Sequence, residues 1–580
     1  MSELNSRILN TLEYEQVKQM MMPYLVTAQG QEELAALEPV ADETVIRQWL
    51  DETLDALKVQ RLRGGIPIPK IENIRPHMKR IEIGADLNGH ELAQVTRVLT
   101  TTSEVNRFID DLVEGELEFV RLYDWAKQLT HLPELTRRLR IAIDEDGRVT
   151  DDASDALRQI RSQIRRSEQS IRETLAGLIR GNQARYLSDA IVTMRNERYV
   201  IPVKHEYRSM FGGVVHDQSA SGQTLFIEPK QIVELNNRLR QHQIAEKNEI
   251  TRILSELSAA LVPARKEIIH NAFVIGKFDF MNAKARFAKA IKGVVPAINA
   301  QNYVVFKQAR HPLIAMEKVV ANDIVIGKDY QAIVITGPNT GGKTITLKTL
   351  GLLQLMGQSG LPLPVAQESQ MGIFKEVFAD IGDEQSIEQN LSTFSSHMTN
   401  IVNILSKADE NSLVLFDELG AGTDPQEGAA LAIAILDEMG ARSTYVMATT
   451  HYPELKVYGY NRPGTINASM EFDVDTLSPT YRLLIGVPGR SNAFEISSRL
   501  GLSPLIIESA KQIIDGESQD LNEMIADLEN RRKMAETEYL ELRQSLEEAE
   551  KIQADLKVAH REFYEEREKE LAKARKEANA

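Results

Sequence analysis

The run Gly337-Pro338-Asn339-Thr340-Gly341-Gly342-Lys343-Thr344 constrains the fold of this chain more than any other segment. It reads as Gly, four residues, then Gly-Lys-Thr, the spacing of a phosphate loop. Ala332-Ile333-Val334-Ile335-Thr336 before it has the composition of a buried strand, and Ile345 to Met356 after it reads as a helix start. A phosphate loop needs that strand–loop–helix setting. Its glycines let successive backbone N–H groups face phosphate oxygens, and the helix N-terminus adds positive potential. Lys343 is then placed to reach the β- and γ-phosphates and Thr344 to ligate Mg²⁺. The segment implies binding and hydrolysis of a nucleoside triphosphate.

A chain of 580 residues is too long for one domain, and 42% apolar content supports large cores. The net charge of -16 argues against a bulk electrostatic grip on nucleic acid, although a local basic face stays compatible with it. With no cysteine there are no disulfides or thiolate zinc sites, and the eleven histidines show no ligand spacing such as H-E-x-x-H. No apolar run approaches the ~20 residues of a membrane helix. The N-terminus Met1-Ser2-Glu3-Leu4-Asn5 lacks a basic-then-apolar signal. The expectation is a cytoplasmic protein without a membrane partner.

Residues 1 to about 150 read as short amphipathic helices broken at Leu37-Glu38-Pro39 and Gly64-Gly65-Ile66-Pro67. From Asp151 to about Gly181, Leu157, Ile160, Ile164, Ile171, Leu175 and Leu178 recur at helical steps. The period then changes. Ala190–Met194 and Tyr199–Val203 look like strands around a tight turn, followed by strands near Val214-Val215 and Thr224–Ile227. A second long helical stretch runs from Glu228 to about Ile291, with a kink expected at Pro263. Two arms with a small antiparallel sheet at their tip is the economical reading. From about Tyr303, short β-branched runs alternate with helices, favouring a parallel sheet. After Gly516, Leu521, Ile525, Leu528, Ala535, Tyr539, Leu542, Leu546, Ala549, Leu556 and Phe563 follow four- and three-residue steps. That stripe predicts a coiled coil, the alternative being one amphipathic helix packed on the preceding domain.

A phosphate loop also needs a metal-holding carboxylate and a group that activates water. Ser412-Leu413-Val414-Leu415-Phe416-Asp417-Glu418 supplies both: a buried strand presents Asp417 to Mg²⁺, and Glu418 follows as general base. Val446-Met447-Ala448-Thr449-Thr450-His451 is another buried strand, and His451 at its end is either a γ-phosphate sensor or a structural histidine. In Asn390-Leu391-Ser392-Thr393-Phe394-Ser395-Ser396-His397-Met398, Ser392 or Thr393 either caps a helix or forms a signature loop that completes the γ-phosphate pocket of a neighbouring subunit.

Together these residues resemble the MutS family of ATPases. Gly337-Pro338-Asn339-Thr340-Gly341-Gly342-Lys343 is similar to that family's phosphate loop, and Arg310-His311-Pro312 to the motif that opens its ATPase domain. Ser392-Thr393-Phe394 is similar to its signature and Thr449-Thr450-His451 to its histidine switch. Leu419-Gly420-Ala421-Gly422-Thr423-Asp424-Pro425-Gln426-Glu427-Gly428 departs from the mismatch-repair members and resembles the second bacterial paralogue. The first phenylalanine is Phe108, so an N-terminal Phe-x-Glu mismatch wedge has no candidate. The resemblance implies ATP and Mg as cofactors and a homodimer. It also implies endonuclease activity only with a C-terminal Smr nuclease domain, which these residues do not include. Mismatch-repair members stack adenine on an aromatic shortly after Arg-His-Pro; the comparable stretch Val319-Val320-Ala321-Asn322-Asp323 has none, leaving an apolar contact from Val320.

The expected fold is mixed. A helical core spans 1–150, and lever helices with a β clamp tip at about 186–228 span 151–300. An ABC-like α/β P-loop ATPase domain of MutS type spans 301–516, and a coiled-coil helix spans 517–580. Arg195, Arg198, Lys204 and Arg208 make the tip locally basic, either a nucleic-acid contact or a solvated face. The resemblance implies a clamp that binds stalled or collided ribosomes through rRNA and splits them with ATP, in translation quality control. The alternative is a branched-DNA-binding ATPase that suppresses homologous recombination. A chromosome-organising ATPase is disfavoured, because those proteins insert a long coiled coil between the residues corresponding to Lys343 and Asp417.

Overall fold

The computed structural model describes residues 3–337, 341–382, 393–473, 476, 478–489, 493–499 and 501–513, with scattered helical positions between 534 and 556. Most of the heptad stripe, and also Pro338, Asn339, Thr340 and Ser392, lie outside the described residues. Of the stripe, Leu542, Leu546, Ala549 and Leu556 are described; they are helical and exposed.

The N-terminal quarter is helical: α1 (Glu3–Thr11), α2 (Tyr14–Met21), α3 (Ala28–Ala36), α4 (Glu43–Arg63), α5 (Arg75–Glu82), α6 (Gly89–Glu114), α7 (Leu122–Ala126) and α8 (Pro133–Ala142). Local chemistry sets several ends. The Asp42 carboxylate accepts from the Thr44 and Val45 amides to start α4, which stops at Gly64 in the left-handed region (φ 79°). Asn88 and Glu91 cap α6 reciprocally. The first helices have no core of their own. Ile8, Leu12, Tyr14, Val17 and Leu34 share one apolar cluster with Ile333, Leu350 and Leu415 of the α/β part.

Helix α9 (Asp155–Arg180) starts where the Ser154 hydroxyl accepts from the Leu157 amide. After it come β1 (Thr193–Arg195), β2 (Arg198–Lys204), α10 (Arg208–Phe211), β3 (Val214–Gln218), β4 (Thr224–Glu228) and the long α11 (Lys230–Leu261). The four strands form an antiparallel sheet in the order β1-β2-β4-β3. β1 is shorter than the strand expected from Ala190. Its register sets Thr193 against Val200, so Ile191 falls opposite Pro202, which has no N–H for the ladder. α9 and α11 run antiparallel. At one end Ser154 Oγ donates to Glu249 (2.7 Å) and Arg161 Nε to Glu246 (2.7 Å); at the other, Ile171 and Leu175 pack with Ile232 and Leu239.

Pro263 ends the helix instead of kinking it, having no N–H to donate and a ring that clashes with the preceding turn. The chain restarts as α12 (Arg265–Ile291), which runs into the helical core instead of along the arm. Val274, Phe278 and Met281 pack with Val59, Val105 and Ile109, while Asp279 accepts from the Val26 and Thr27 amides (3.0 and 2.8 Å).

The remainder is α/β: β5 (Ala297–Ile298), β6 (Val304–Ala309), β7 (Asn322–Ile326), β8 (Ala332–Thr336), α13 (Lys343–Gln358), β9 (Gln370–Met371), β10 (Glu376–Asp380), α14 (Thr393–Lys407), β11 (Ser412–Phe416), α15 (Pro425–Ala441), β12 (Tyr445–Thr450), α16 (Glu454–Asn461), β13 (Thr465–Asp473), β14 (Ser478–Ile485), α17 (Ala493–Arg499) and α18 (Pro504–Ile513). The main sheet has the order β10-β11-β12-β8-β13-β14, parallel except for β14, and β5-β9-β6-β7 form a second sheet. In this register Thr336 pairs with Thr450 and Ala448 with Phe416. The carboxyl ends of β8, β12 and β11 therefore emerge side by side, where open α/β sheets bind ligands.

Helix α13 carries that edge into the core. Leu347, Leu350, Leu353 and Met356 are fully buried, each worth roughly 1.5–3 kcal/mol of apolar burial. Its far end is gripped by the core: Tyr14 OH donates to Ser359 Oγ (2.7 Å), Thr53 Oγ1 to the Gly360 carbonyl (2.6 Å) and Gln358 Nε2 to the Val40 carbonyl (2.7 Å).

Candidate nucleotide site and clamp tip

Gly337 (φ 129°) and Gly342 (φ 93°) hold left-handed conformations that side chains resist, one on each side of the phosphate-loop turn. Among the described residues, nothing lies within 4 Å of where a Cβ at Gly337 would sit, which suits a phosphate cradle. Lys343 opens α13 and is buried. Its Nζ donates to the Gly337 carbonyl (2.7 Å) and lies 3.2 Å from His451 Nε2. Burial pushes its pKa down to about 8, against the pull of Glu418 and Asp417. An ammonium desolvated this way gains strongly from an incoming polyphosphate.

Thr344 Oγ1 donates to Asp417 Oδ2 (2.7 Å), so the two proposed metal-holding groups converge. The other Asp417 oxygen accepts from Thr449 Oγ1 (2.6 Å), and the same hydroxyl accepts from the Glu418 amide (2.8 Å). Thr449 thus orients both acids, a role the sequence did not assign to it. Glu418 sits at φ 50°, a left-handed conformation unusual for a glutamate, and is held there by this bond. Its Oε1 lies 3.7 Å from His451 Nε2. The His451 pKa is lowered, first by burial and then by the Lys343 charge, so the imidazole is favoured neutral. One hydroxyl and one carboxylate suit Mg²⁺, which keeps waters and phosphate oxygens as its other ligands. Among the described residues no group of three or more His, Asp or Glu forms a dedicated metal cage.

Asp380, at the end of β10, is a further member that the sequence reading missed. Its carbonyl accepts from the Asp417 amide (2.8 Å); its carboxylate lies 2.8 Å from His397 Nδ1 and accepts from Asn400 Nδ2 (2.8 Å). His397 and Asn400 belong to α14, the helix that Thr393 opens. The signature helix is therefore tied to β10 and, through Asp380, to Asp417. The available signal was a buried strand ending in an acid, the same pattern that revealed Asp417.

Beside the loop lies a cavity of about 210 Å³ lined by His311, Val319, Val320, Gly342, Ile345 and Tyr481, among others. Val320, the residue from which an apolar base contact is expected, lines it, and so does an aromatic from β14. The Tyr481 ring approaches to 3.0 Å of where a Gly342 Cβ would sit. The Tyr481 carbonyl accepts from Asn322 Nδ2 (3.0 Å), while Asn322 Oδ1 accepts from the Leu483 amide (2.7 Å). Sequence distance from Arg310-His311-Pro312 concealed this residue. His311 is buried beneath the cavity, which pushes its pKa down to about 4.

At the clamp tip the four nominated cations divide. Arg195 pairs with Asp217 (2.9 Å) and stacks over Phe226, and Arg198 pairs with the buried Glu228 (2.8 Å). The Arg198 charge is spent against a buried carboxylate, whereas the Arg195–Asp217 pair lies at the surface. Lys204 and Arg208 are exposed, with Lys204 donating to the Arg185 carbonyl (3.2 Å). Ile191, Met194, Met210 and Val214 are also exposed there. No helix among the described residues is long and apolar enough to cross a membrane.

Residues 333–516 match the family model described as MutS domain V. The chain is 75% identical over 576 residues to the Endonuclease MutS2 of Enterococcus faecalis, covering 99% of this chain and 73% of that protein. It is 62% identical over 577 residues to the protein of that name from Latilactobacillus sakei, covering 100% and 73%. For the one from Lactiplantibacillus plantarum the identity is 58% over 578 residues, covering 99% and 73%. Identity of this order across nearly the whole chain leaves no room for a different fold, and the chain belongs to the MutS family, in its MutS2 branch.

Proposed function

We propose that this chain is a Mg-dependent ATPase that works as a homodimeric clamp, binding stalled or collided ribosomes and splitting their subunits. The observation that carries the ATPase reading is the bond chain Thr344–Asp417–Thr449–Glu418, with Lys343 and His451 against it. Lys343 neutralises the β- and γ-phosphates. Thr344 and Asp417 would hold Mg²⁺, which supplies charge neutralisation at the phosphates when bound. Glu418 takes the proton of the attacking water, and His451 orients against it. Thr393 and Ser392 act on the partner subunit's nucleotide, and closure over it tilts the α9–α11 arms. The domains follow the boundaries given above, except that α12 (Arg265–Ile291) packs with the helical core, and the stripe after residue 517 pairs as a coiled coil.

A ribosome fits the tip better than a bare duplex does. Sequence-independent duplex binding relies on many free cations, and two of the four at the tip are ion-paired, Arg198 with a buried carboxylate and Arg195 with an exposed one. Exposed Ile191, Met194, Met210 and Val214 suit a surface that contains protein as well as RNA. The second reading, branched-DNA binding with recombination suppression, is favoured by the word endonuclease in the relatives' names. Nuclease action would then need the Smr domain.

The test is co-sedimentation of Glu418→Gln with lysate in ATP. Turnover is expected to fall by about 10²–10⁴-fold while nucleotide stays bound. Retention on polysomes after DNase supports the ribosome reading; loss of all retention after DNase supports branched DNA. A monomer with full, concentration-independent turnover refutes the composite site.

A further inference from the structure

Away from the nucleotide edge and the clamp tip, α6 and α8 face each other across an open groove of about 600 Å³. Asn106, Arg107 and Asp110 come from one helix and Arg137 and Arg140 from the other, with His131 at the mouth. These positions share a face on each helix because they recur at three- and four-residue steps. In a chain of net charge -16, three guanidiniums against the one lining carboxylate, Asp110, make this groove locally positive.

The partners of these groups separate this groove from an ordinary ion-paired surface. On the opposite side of α8 the charges are matched: Arg138 lies 3.9 Å from Glu256, and Arg252 pairs with Glu249 (2.7 Å). Within the groove Arg137 pairs with Glu134 (2.9 Å), but Arg107 and Arg140 form no ion pair among the described residues. The start of α8 faces the groove, with Glu134 of its first turn already paired to Arg137. Leu132 at its N-cap offers no side-chain acceptor, and Pro133 and His131 bring that end into the groove. All three arginines are exposed, so the groove does not enclose a small anion. A polyanion lying along it satisfies several cations at once.

We propose that the α6–α8 groove binds the phosphodiester backbone of a nucleic-acid duplex, as a contact separate from the clamp tip. Planar guanidiniums grip phosphate oxygens through paired N–H donors, which favours arginine at such positions. The contact reads no sequence and sets register on the backbone. It rests on the reading that this protein engages nucleic acid.

The test titrates the whole chain against a fluorescent RNA duplex and, separately, a branched DNA duplex over a range of salt. Each phosphate neutralised on a DNA duplex steepens the plot of log affinity against log salt by about 0.9. The double substitution R107Q/R140Q is expected to flatten that slope by about 1.8 and to weaken binding equally across sequences, whereas R107K/R140K keeps most of the slope. Both side chains are exposed, so the melting temperature should not move. The arm that loses affinity identifies the backbone that the groove takes. If the wild type binds and the glutamine pair changes neither affinity nor slope, the groove proposal is overturned while the clamp reading stands. A flattened slope without polysome retention of Glu418→Gln supports the groove and overturns the ribosome reading. Failure of the wild type to bind either duplex, with ATP binding intact, overturns the groove.

Discussion

Thr449→Val removes one hydroxyl from the centre of the nucleotide site while keeping the shape of the side chain. Thr449 is fully buried, donates to Asp417 (2.6 Å) and accepts from the Glu418 amide (2.8 Å). Valine breaks both bonds and admits no water to replace them. A hydrogen bond to a charged group contributes about 1.5–3 kcal/mol, and a buried amide left unpaired costs about 1–3 kcal/mol. Losing the carboxylate bond in the transition state alone corresponds to roughly 10- to 150-fold in rate. Part of the loss falls on folding, so urea unfolding should show a decrease of about 2 kcal/mol. Lys343 and the base cavity are untouched, so the catalytic loss should sit in kcat, with KM nearly constant. Thr449→Ser keeps the hydroxyl and should recover most of kcat. The assay is steady-state ATP turnover with Mg, alongside binding of a fluorescent ATP analogue. Full kcat in the valine variant, or a serine variant as impaired as valine, would refute the argument that Thr449 orients Asp417 and Glu418.

Two further outcomes follow from the same geometry. Free Lys343 titrates at about 8, and bound phosphates raise that value, so binding above pH 8 takes up a proton. Nucleotide affinity should be flat below pH 8 and fall by about tenfold per pH unit above it; in Lys343→Arg, which stays charged, that fall should vanish, and a wild-type profile flat to pH 10 contradicts the assignment. Tyr481→Ala should raise the KM for ATP roughly 5- to 150-fold, since base–aromatic stacking is worth about 1–3 kcal/mol, with kcat preserved; an unchanged KM removes Tyr481 from the base contact.

Much of the nucleotide edge was legible before any coordinates, because each key residue ends a strand or begins a helix. Lys343 opens α13, Asp417 directly follows β11 and His451 directly follows β12. Such positions leave a trace in one local window, a β-branched run closing on a polar residue. Tyr481 left no such trace: it is an exposed residue on a strand that pairs antiparallel at the end of the sheet, and it reaches the loop only through the fold. Asp380 carried a readable signal, but its partners His397 and Asn400 lie on a separate helix. At the clamp tip the arginines were visible as charge, while the carboxylates that neutralise Arg195 and Arg198 came from β3 and the end of β4.

The sequence by itself determined the phosphate loop, the acid pair, the long amphipathic arms and, through resemblance, the family. Those features are local, encoded in periods of two and 3.6 residues and in the spacing of glycines. Tertiary structure decided what those elements meet. Beyond the break that Pro263 makes locally, it sent α12 into the core. It merged the first helices with the α/β cluster and anchored the far end of α13 at Ser359 and Gly360. It also brought Tyr481 to the cavity beside the phosphate loop and set α6 against α8. Pairings of this kind join residues tens to hundreds of positions apart, and they depend on packing that no single window of sequence contains.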